Sequence, residues 1–252
     1  MTLKAVLFDL WETLIVDAEA RSRPRQEWRA SNVRLVLAQY GFDISFEAID
    51  LALRGAGAAL TSLHNDSREV SSAGRVDVFL ERLGVITPGE LPAEARPPLL
   101  VAIGSMRSDF APRPAEHAIE TLNELKGQGI RTGLISNAGL TIGTALRQIL
   151  ADYDLEPLLD VMVFSDEHEL AKPDRRIFDL ALAALDVEPA AAAFVGDSPP
   201  HDVQGALSAG LWAVQIGDEA HDTIKPHARI DSLRELASAL RRLQLLPPLN
   251  HQ

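Results

Sequence analysis

Short apolar runs that end in polar turns constrain this chain more than any other feature. Lys4-Ala5-Val6-Leu7-Phe8 leads into Asp9, and Arg131-Thr132-Gly133-Leu134-Ile135 leads into Ser136. Val161-Met162-Val163-Phe164 leads into Ser165, and Ala192-Ala193-Phe194-Val195 into Gly196-Asp197. A fifth run occupies residues 211–216. None alternates apolar with polar positions, so both faces of each strand must be buried, as in a parallel sheet. Helical patterns separate them at 114–128, 141–150, 174–185 and 201–209, and a last one covers 232–243 before a proline-containing tail at 247–252. Strand and helix alternate from residue 129 onward, which predicts βαβ units and a doubly wound parallel α/β sheet.

Residues 16–112 break this alternation. Helical patterns at 26–40, 45–63, 75–83 and 93–109 follow one another, punctuated by Gly41, Gly84 and Pro88. The reading is an all-helical domain (16–112) inserted into a core formed by 1–15 and 113–252, with linkers near 15–21 and 111–114. A chain of 252 residues is long enough for both.

Composition narrows the partners. The charged fraction is 24%, with 36 acidic against 24 basic residues and a net charge of -12. Such a surface repels phosphate backbones, so no nucleic-acid partner is expected, whereas a local cluster of donors or a cation still admits a small anionic substrate. There is no cysteine, which removes disulfides, thiolate metal sites and a thiol nucleophile. The first ten residues are too short an apolar run for a secretory leader, and no later stretch suits a membrane span. A cytoplasmic protein, monomer or homodimer, is expected.

In a doubly wound sheet, functional groups collect beyond the carboxyl ends of the strands. Those positions hold Asp9, Ser136 with Asn137, and Asp197 with Asp202, while Lys172 lies in the loop after the third run. Val6-Leu7-Phe8-Asp9-Leu10-Trp11-Glu12-Thr13-Leu14 resembles the first motif of the haloacid dehalogenase-like (HAD) hydrolase superfamily. Leu134-Ile135-Ser136-Asn137 resembles its second, Lys172-Pro173-Asp174 its third, and Val195-Gly196-Asp197-Ser198 through Asp202 its fourth. The four occur in family order, and the helical insertion falls where one subgroup carries its cap. The resemblance implies a Rossmann-like core and a hydrolase in which Asp9 attacks the substrate to form a covalent aspartyl intermediate. It further implies that Ser136, Asn137 and Lys172 hold the transferring group. Mg²⁺ would be bound by Asp9, Asp197 and the carbonyl of Trp11. Thr13 and Asp202 would orient these groups from behind.

One position departs from the pattern. Phosphatases of the family usually carry a second aspartate two residues after the nucleophile, to protonate the leaving group; here that residue is Trp11, which cannot shuttle a proton near neutral pH. Three readings follow. The preferred one is a Mg²⁺-dependent phosphatase of a small phosphorylated metabolite, working through an aspartyl phosphate without the usual acid. The second is a metal-independent 2-haloacid dehalogenase, whose family members resemble this chain in having an aromatic residue there. The third is a non-catalytic protein that binds a phosphorylated ligand or a partner. Glu12 and His201 stand near enough in sequence to replace the missing acid. Arg21, Arg23, Arg25, Arg29 and Arg34 are read as a solvated helix face, with Arg21 to Arg25 the candidates for substrate contact.

Overall fold

In the computed structural model the described residues are 2–247, so most of the expected tail lies outside them. Strand β1 (Ala5–Phe8) is buried along its whole length. After the short β2 (Ile15–Val16) come four helices, α1 (Glu19–Gln39), α2 (Phe46–Asn65), α3 (Gly74–Leu83) and α4 (Arg96–Gly104), and then β3 (Arg113–Pro114). The order continues α5 (Ala118–Gly127), β4 (Arg131–Ser136), α6 (Gly143–Asp152), β5 (Val161–Phe164), α7 (Ser165–His168) and α8 (Arg175–Leu185). It closes with β6 (Ala192–Gly196), α9 (Gln204–Ala209), β7 (Trp212–Ile216), β8 (Ala228–Ile230) and α10 (Leu236–Arg242).

The main sheet has six parallel strands in the order β5-β4-β1-β6-β7-β8. Side chains of a strand point alternately to its two faces, and β1 makes this visible. Val6 and Phe8 pack with Leu122, Leu146 and Leu236 on one side, while Ala5 and Leu7 pack with Ile177, Phe178 and Ala206 on the other. The sheet is therefore sandwiched between helices, as the unbroken apolar runs require. Because β1 lies between β4 and β6, the chain leaves the centre in both directions, and a crevice opens at the carboxyl ends of these three strands. Gly133 of β4 belongs to this packing, since a Cβ there would stand 2.6 Å from side-chain carbons of Leu7 and Val161.

Helices α1 to α4 bury an apolar face among themselves. Val33, Leu37, Ile49, Leu53, Phe79 and Leu99 are its centre, and Leu140 of the core packs at its edge. The chain enters and leaves this segment side by side, because β2 and β3 pair antiparallel with Ile15 opposite Pro114 and Val16 opposite Arg113.

Several expected boundaries differ. Helix α1 starts at Glu19 rather than near residue 26 and carries Pro24 inside it. The helix expected at 93–109 is a 3-10 turn (Ala93–Ala95) followed by α4, which stops at Gly104. Helix α5 begins only at Ala118, because residues 113 and 114 are taken up by β3. The sixth strand, β8, was not foreseen.

Candidate active site

Asp9 follows β1 directly, and its backbone N–H donates to Val195 O at 2.8 Å, which ties the turn to β6. Lys172 arrives from the loop between α7 and α8 and is 2% exposed. Its ammonium donates to Asp9 Oδ1 and, at 2.7 Å, to Asp202 Oδ1. The ammonium also lies 5.2 Å from the centre of the Phe194 ring. Asp202 is fixed in turn, since Ser198 N–H donates to its Oδ2 at 3.0 Å. Asp202 fits over the end of β6 because residue 196 is glycine: a Cβ there would stand 2.6 Å from Asp202 Cβ. One carboxylate oxygen each from Asp9, Asp197 and Asp202 lies within 4.8 Å of the others. Strand ends that are neighbours in the sheet thus bring together residues up to 193 positions apart in sequence.

Three carboxylates facing one ammonium leave excess negative charge. Burial, offset by Lys172 and reinforced by Asp202, pushes the Asp9 carboxyl up to about 7. Burial and the Asp202 charge push Asp197 up to about 6. Burial works against the Lys172 charge, but Asp202 and Asp9 outweigh it and hold the ammonium above its ordinary range. A divalent cation held by hard oxygen donors would relieve this excess, so the donor set fits Mg²⁺.

Ser136 is buried at the end of β4, and its hydroxyl has only a long 3.4 Å contact to Asn137 O. It does not cap the following helix; Gly143 N–H, the first of α6, donates to Asp166 at 3.2 and 3.1 Å instead. Asn137, expected to contact substrate, directs its amide at the main chain of Lys172: Nδ2 donates to Lys172 O at 3.1 Å, and Oδ1 accepts from Lys172 N at 2.8 Å. Thr13 departs from expectation. Its hydroxyl is buried without a partner among the described residues, so the hydrogen bond that was to position Asp9 is absent. Asp202 was expected behind the ligands, yet its carboxylate stands in the cluster itself.

Trp11 is half-buried and lines a cavity of about 390 Å³ between core and helical segment, together with Arg25, Arg29, His64, Asn137 and Thr141. Neither proposed substitute for the missing acid is in that lining. Glu12 lines a separate acidic cavity, and its Oε1 accepts from Asp17 N at 3.2 Å. His201 Nδ1 is 3.1 Å from Ser198 Oγ, and burial lowers its pKa.

The arginines of α1 divide. Arg23 is exposed beside Glu27, and Arg34 is exposed. Arg21 donates to Ala111 O at 3.2 Å near the paired crossings. Arg25 and Arg29 are buried, so these two are no solvated face. Sequence reading also missed a buried network that seats the helical segment on the core. Arg75 donates to Ala138 O at 2.6 Å and Gly139 O at 2.8 Å, and Glu69 accepts from Ser165 Oγ and meets His64 Nε2 at 2.9 Å. Burial opposes the Glu69 charge, but His64, Arg75 and Ser165 hold its carboxyl below the usual range. No pattern marks these residues, because the partners come from separate elements.

The chain is similar to known proteins along most of its length. A glyceraldehyde 3-phosphate phosphatase of Methanothermobacter thermautotrophicus is 34% identical over 140 residues, 54% of this chain and 61% of that protein. A glyceraldehyde 3-phosphate phosphatase of Methanopyrus kandleri is 28% identical over 251 residues, 96% of this chain and 98% of that protein. Among solved structures, a 2-haloacid dehalogenase from Pseudomonas syringae pv. Tomato superposes with a TM-score of 0.66 over 96% of this chain and 100% of that one; at 21% identity the likeness is one of fold. The family model for haloacid dehalogenase-like hydrolases matches residues 3–210, and the chain belongs to that family.

Proposed function

We propose that the protein is a Mg²⁺-dependent phosphatase of small phosphorylated metabolites, with Asp9 as nucleophile. The observation that carries the reading is the grouping of Asp9, Lys172, Asp197 and Asp202 at the mouth of the central strands. Relatives named as phosphatases support it. An Asp9 oxygen attacks phosphorus in line, forming an Asp9–phosphoryl bond while the ester P–O bond breaks; water then attacks phosphorus and releases inorganic phosphate. Lys172 favours the ionised form of Asp9 and, with the Ser136 hydroxyl, neutralises the equatorial oxygens. Asp9, Asp197 and the Trp11 carbonyl would hold the metal, which when bound offsets the phosphoryl charge. Residues 16–112 act as a cap over the site, and the cavity beside Trp11 receives the rest of the substrate.

Trp11 makes this phosphatase atypical. With no carboxylic acid there, the departing oxygen takes its proton from solvent, and the 10²–10⁴-fold that positioned acid–base catalysis typically supplies is forfeited. The same tryptophan favours a second reading, a 2-haloacid dehalogenase, because a halide leaves without a proton. The test is a metal-controlled screen of alkyl, aryl and acyl phosphates alongside 2-haloacids. Phosphate release that needs Mg²⁺ and vanishes in Asp9→Asn supports the phosphatase. Halide release in the presence of chelator, with no phosphate release, replaces it by the dehalogenase.

A further inference from the structure

The cavity beside Trp11 contains a charge that no carboxylate among the described residues pairs with. Arg29 reaches it from α1 and is 4% exposed. Its Nη2 donates to Thr141 Oγ1 at 2.9 Å and weakly to Ser105 O at 3.4 Å, both neutral acceptors. Its Nε is buried with no partner among the described residues. The nearby Arg25 is paired with Asp17, whereas Arg29 has no carboxylate partner among the described residues. Nor does any carboxylate among them line the cavity. Burial and the Arg25 charge push the Arg29 guanidinium down to about 10, which still leaves it protonated at neutral pH.

A buried cation with unspent donors is costly unless an anion completes it. A guanidinium offers its donors as a planar fork that matches a carboxylate. The Thr141 hydroxyl already accepts from Arg29, so its own proton remains to be donated. We propose that Arg29 and Thr141 form a subsite for a carboxylate at the far end of the substrate, making short phosphate monoesters that carry a carboxylate the favoured substrates. This rests on the phosphatase reading of the Asp9 site. The phosphoryl group then lies at the Asp9–Lys172 end, the carboxylate at the Arg29 end, and Trp11 lines the space beside the departing oxygen. A cavity of about 390 Å³ suits such a small molecule.

The test compares two probes that differ only in this group, 2-phosphoglycolate and 2-hydroxyethyl phosphate. The readout is the ratio of their kcat/KM values within one enzyme, so a general loss of activity cancels. A charge-assisted hydrogen-bonded contact predicts a preference of about ten- to a hundred-fold for 2-phosphoglycolate in the wild type. That ratio should fall close to unity in Arg29→Met and by a smaller factor in Thr141→Val, a milder change that keeps the test open if the first variant does not fold. A wild-type ratio near unity, or a ratio unchanged in the variants, overturns the subsite. If neither of these alkyl phosphates is turned over, binding becomes the readout, and the phosphatase reading itself is judged by the aryl and acyl phosphates of the screen. The subsite then stands if 2-phosphoglycolate raises the Tm of the wild type more than that of Thr141→Val, and falls if both rise alike.

Discussion

Replacing Lys172 with methionine removes the one cation among three carboxylates while keeping most of the side-chain volume. At 2.7 Å from Asp202 Oδ1, an effective dielectric of 20 gives about 6 kcal/mol of gross attraction, and the bond to Asp9 adds a similar amount. Desolvation cancels much of this, and breaking a buried pair typically costs about 3–5 kcal/mol net. For a chain of this size each kcal/mol moves Tm by about 2–4 °C, so Lys172→Met should melt about 6–20 °C lower in chelator at pH 8. The pH dependence distinguishes this account from a mere packing loss. A carboxyl whose folded pKa stands above its unfolded value contributes stability below the unfolded pKa and loses it as pH rises through the folded one. Asp9, at about 7 against an ordinary 3.8, already behaves so in the wild type, and without Lys172 its folded pKa rises further. The Tm gap should therefore be smallest near pH 5, where Asp9 holds its proton, and widen toward pH 8. Differential scanning calorimetry of both proteins from pH 5 to 8.5 measures it. A gap that stays constant across that range would refute the view that Lys172 acts by neutralising the carboxylates.

Trp11→Asp should raise turnover most on alkyl phosphates, whose oxygen leaves reluctantly without a proton, and least on aryl phosphates; a uniform change in a folded, Mg²⁺-binding variant counts against the missing-acid account. Gly196→Ala places a carbon against Asp202, so kcat should fall by an order of magnitude or more while overpacking costs about 1–3 kcal/mol of stability by urea titration. Protons compete with the cation at Asp9 and Asp197, raised to about 7 and 6, so MgCl₂ should raise Tm more at pH 8 than at pH 5.5.

The central sheet and its strand-end residues were legible because burial on both faces leaves unbroken apolar runs, three of which stop at Asp9, Ser136 and Gly196-Asp197. The paired crossings β2 and β3 were not, since two residues a side are too few for any periodicity. Strand β8, three residues long, is little better, with Arg229 exposed at its middle. Helix α1 hid more. Residues 19–29 carry six charged side chains and Pro24 around Ala20 and Trp28, which resembles a wet surface. Two of its arginines turn inward because the paired crossings and the contacts of Arg75 and Glu69 seat the helical segment on the core. That placement is a tertiary fact with no local pattern. The same holds for Asn137: its residue type suggested a ligand contact, but only the loop carrying Lys172 decides what the amide meets.

The claim on which the rest depends is that Asp9 takes up the phosphoryl group. Rapid quench of the enzyme with Mg²⁺ and an acyl or aryl phosphate, followed by digestion and mass spectrometry, tests it most directly. The account predicts one phosphoryl group on the peptide carrying Asp9, labile to hydroxylamine and absent from Asp9→Asn. Steady phosphate release with no such adduct at any quench time, or an adduct on another residue, would contradict it.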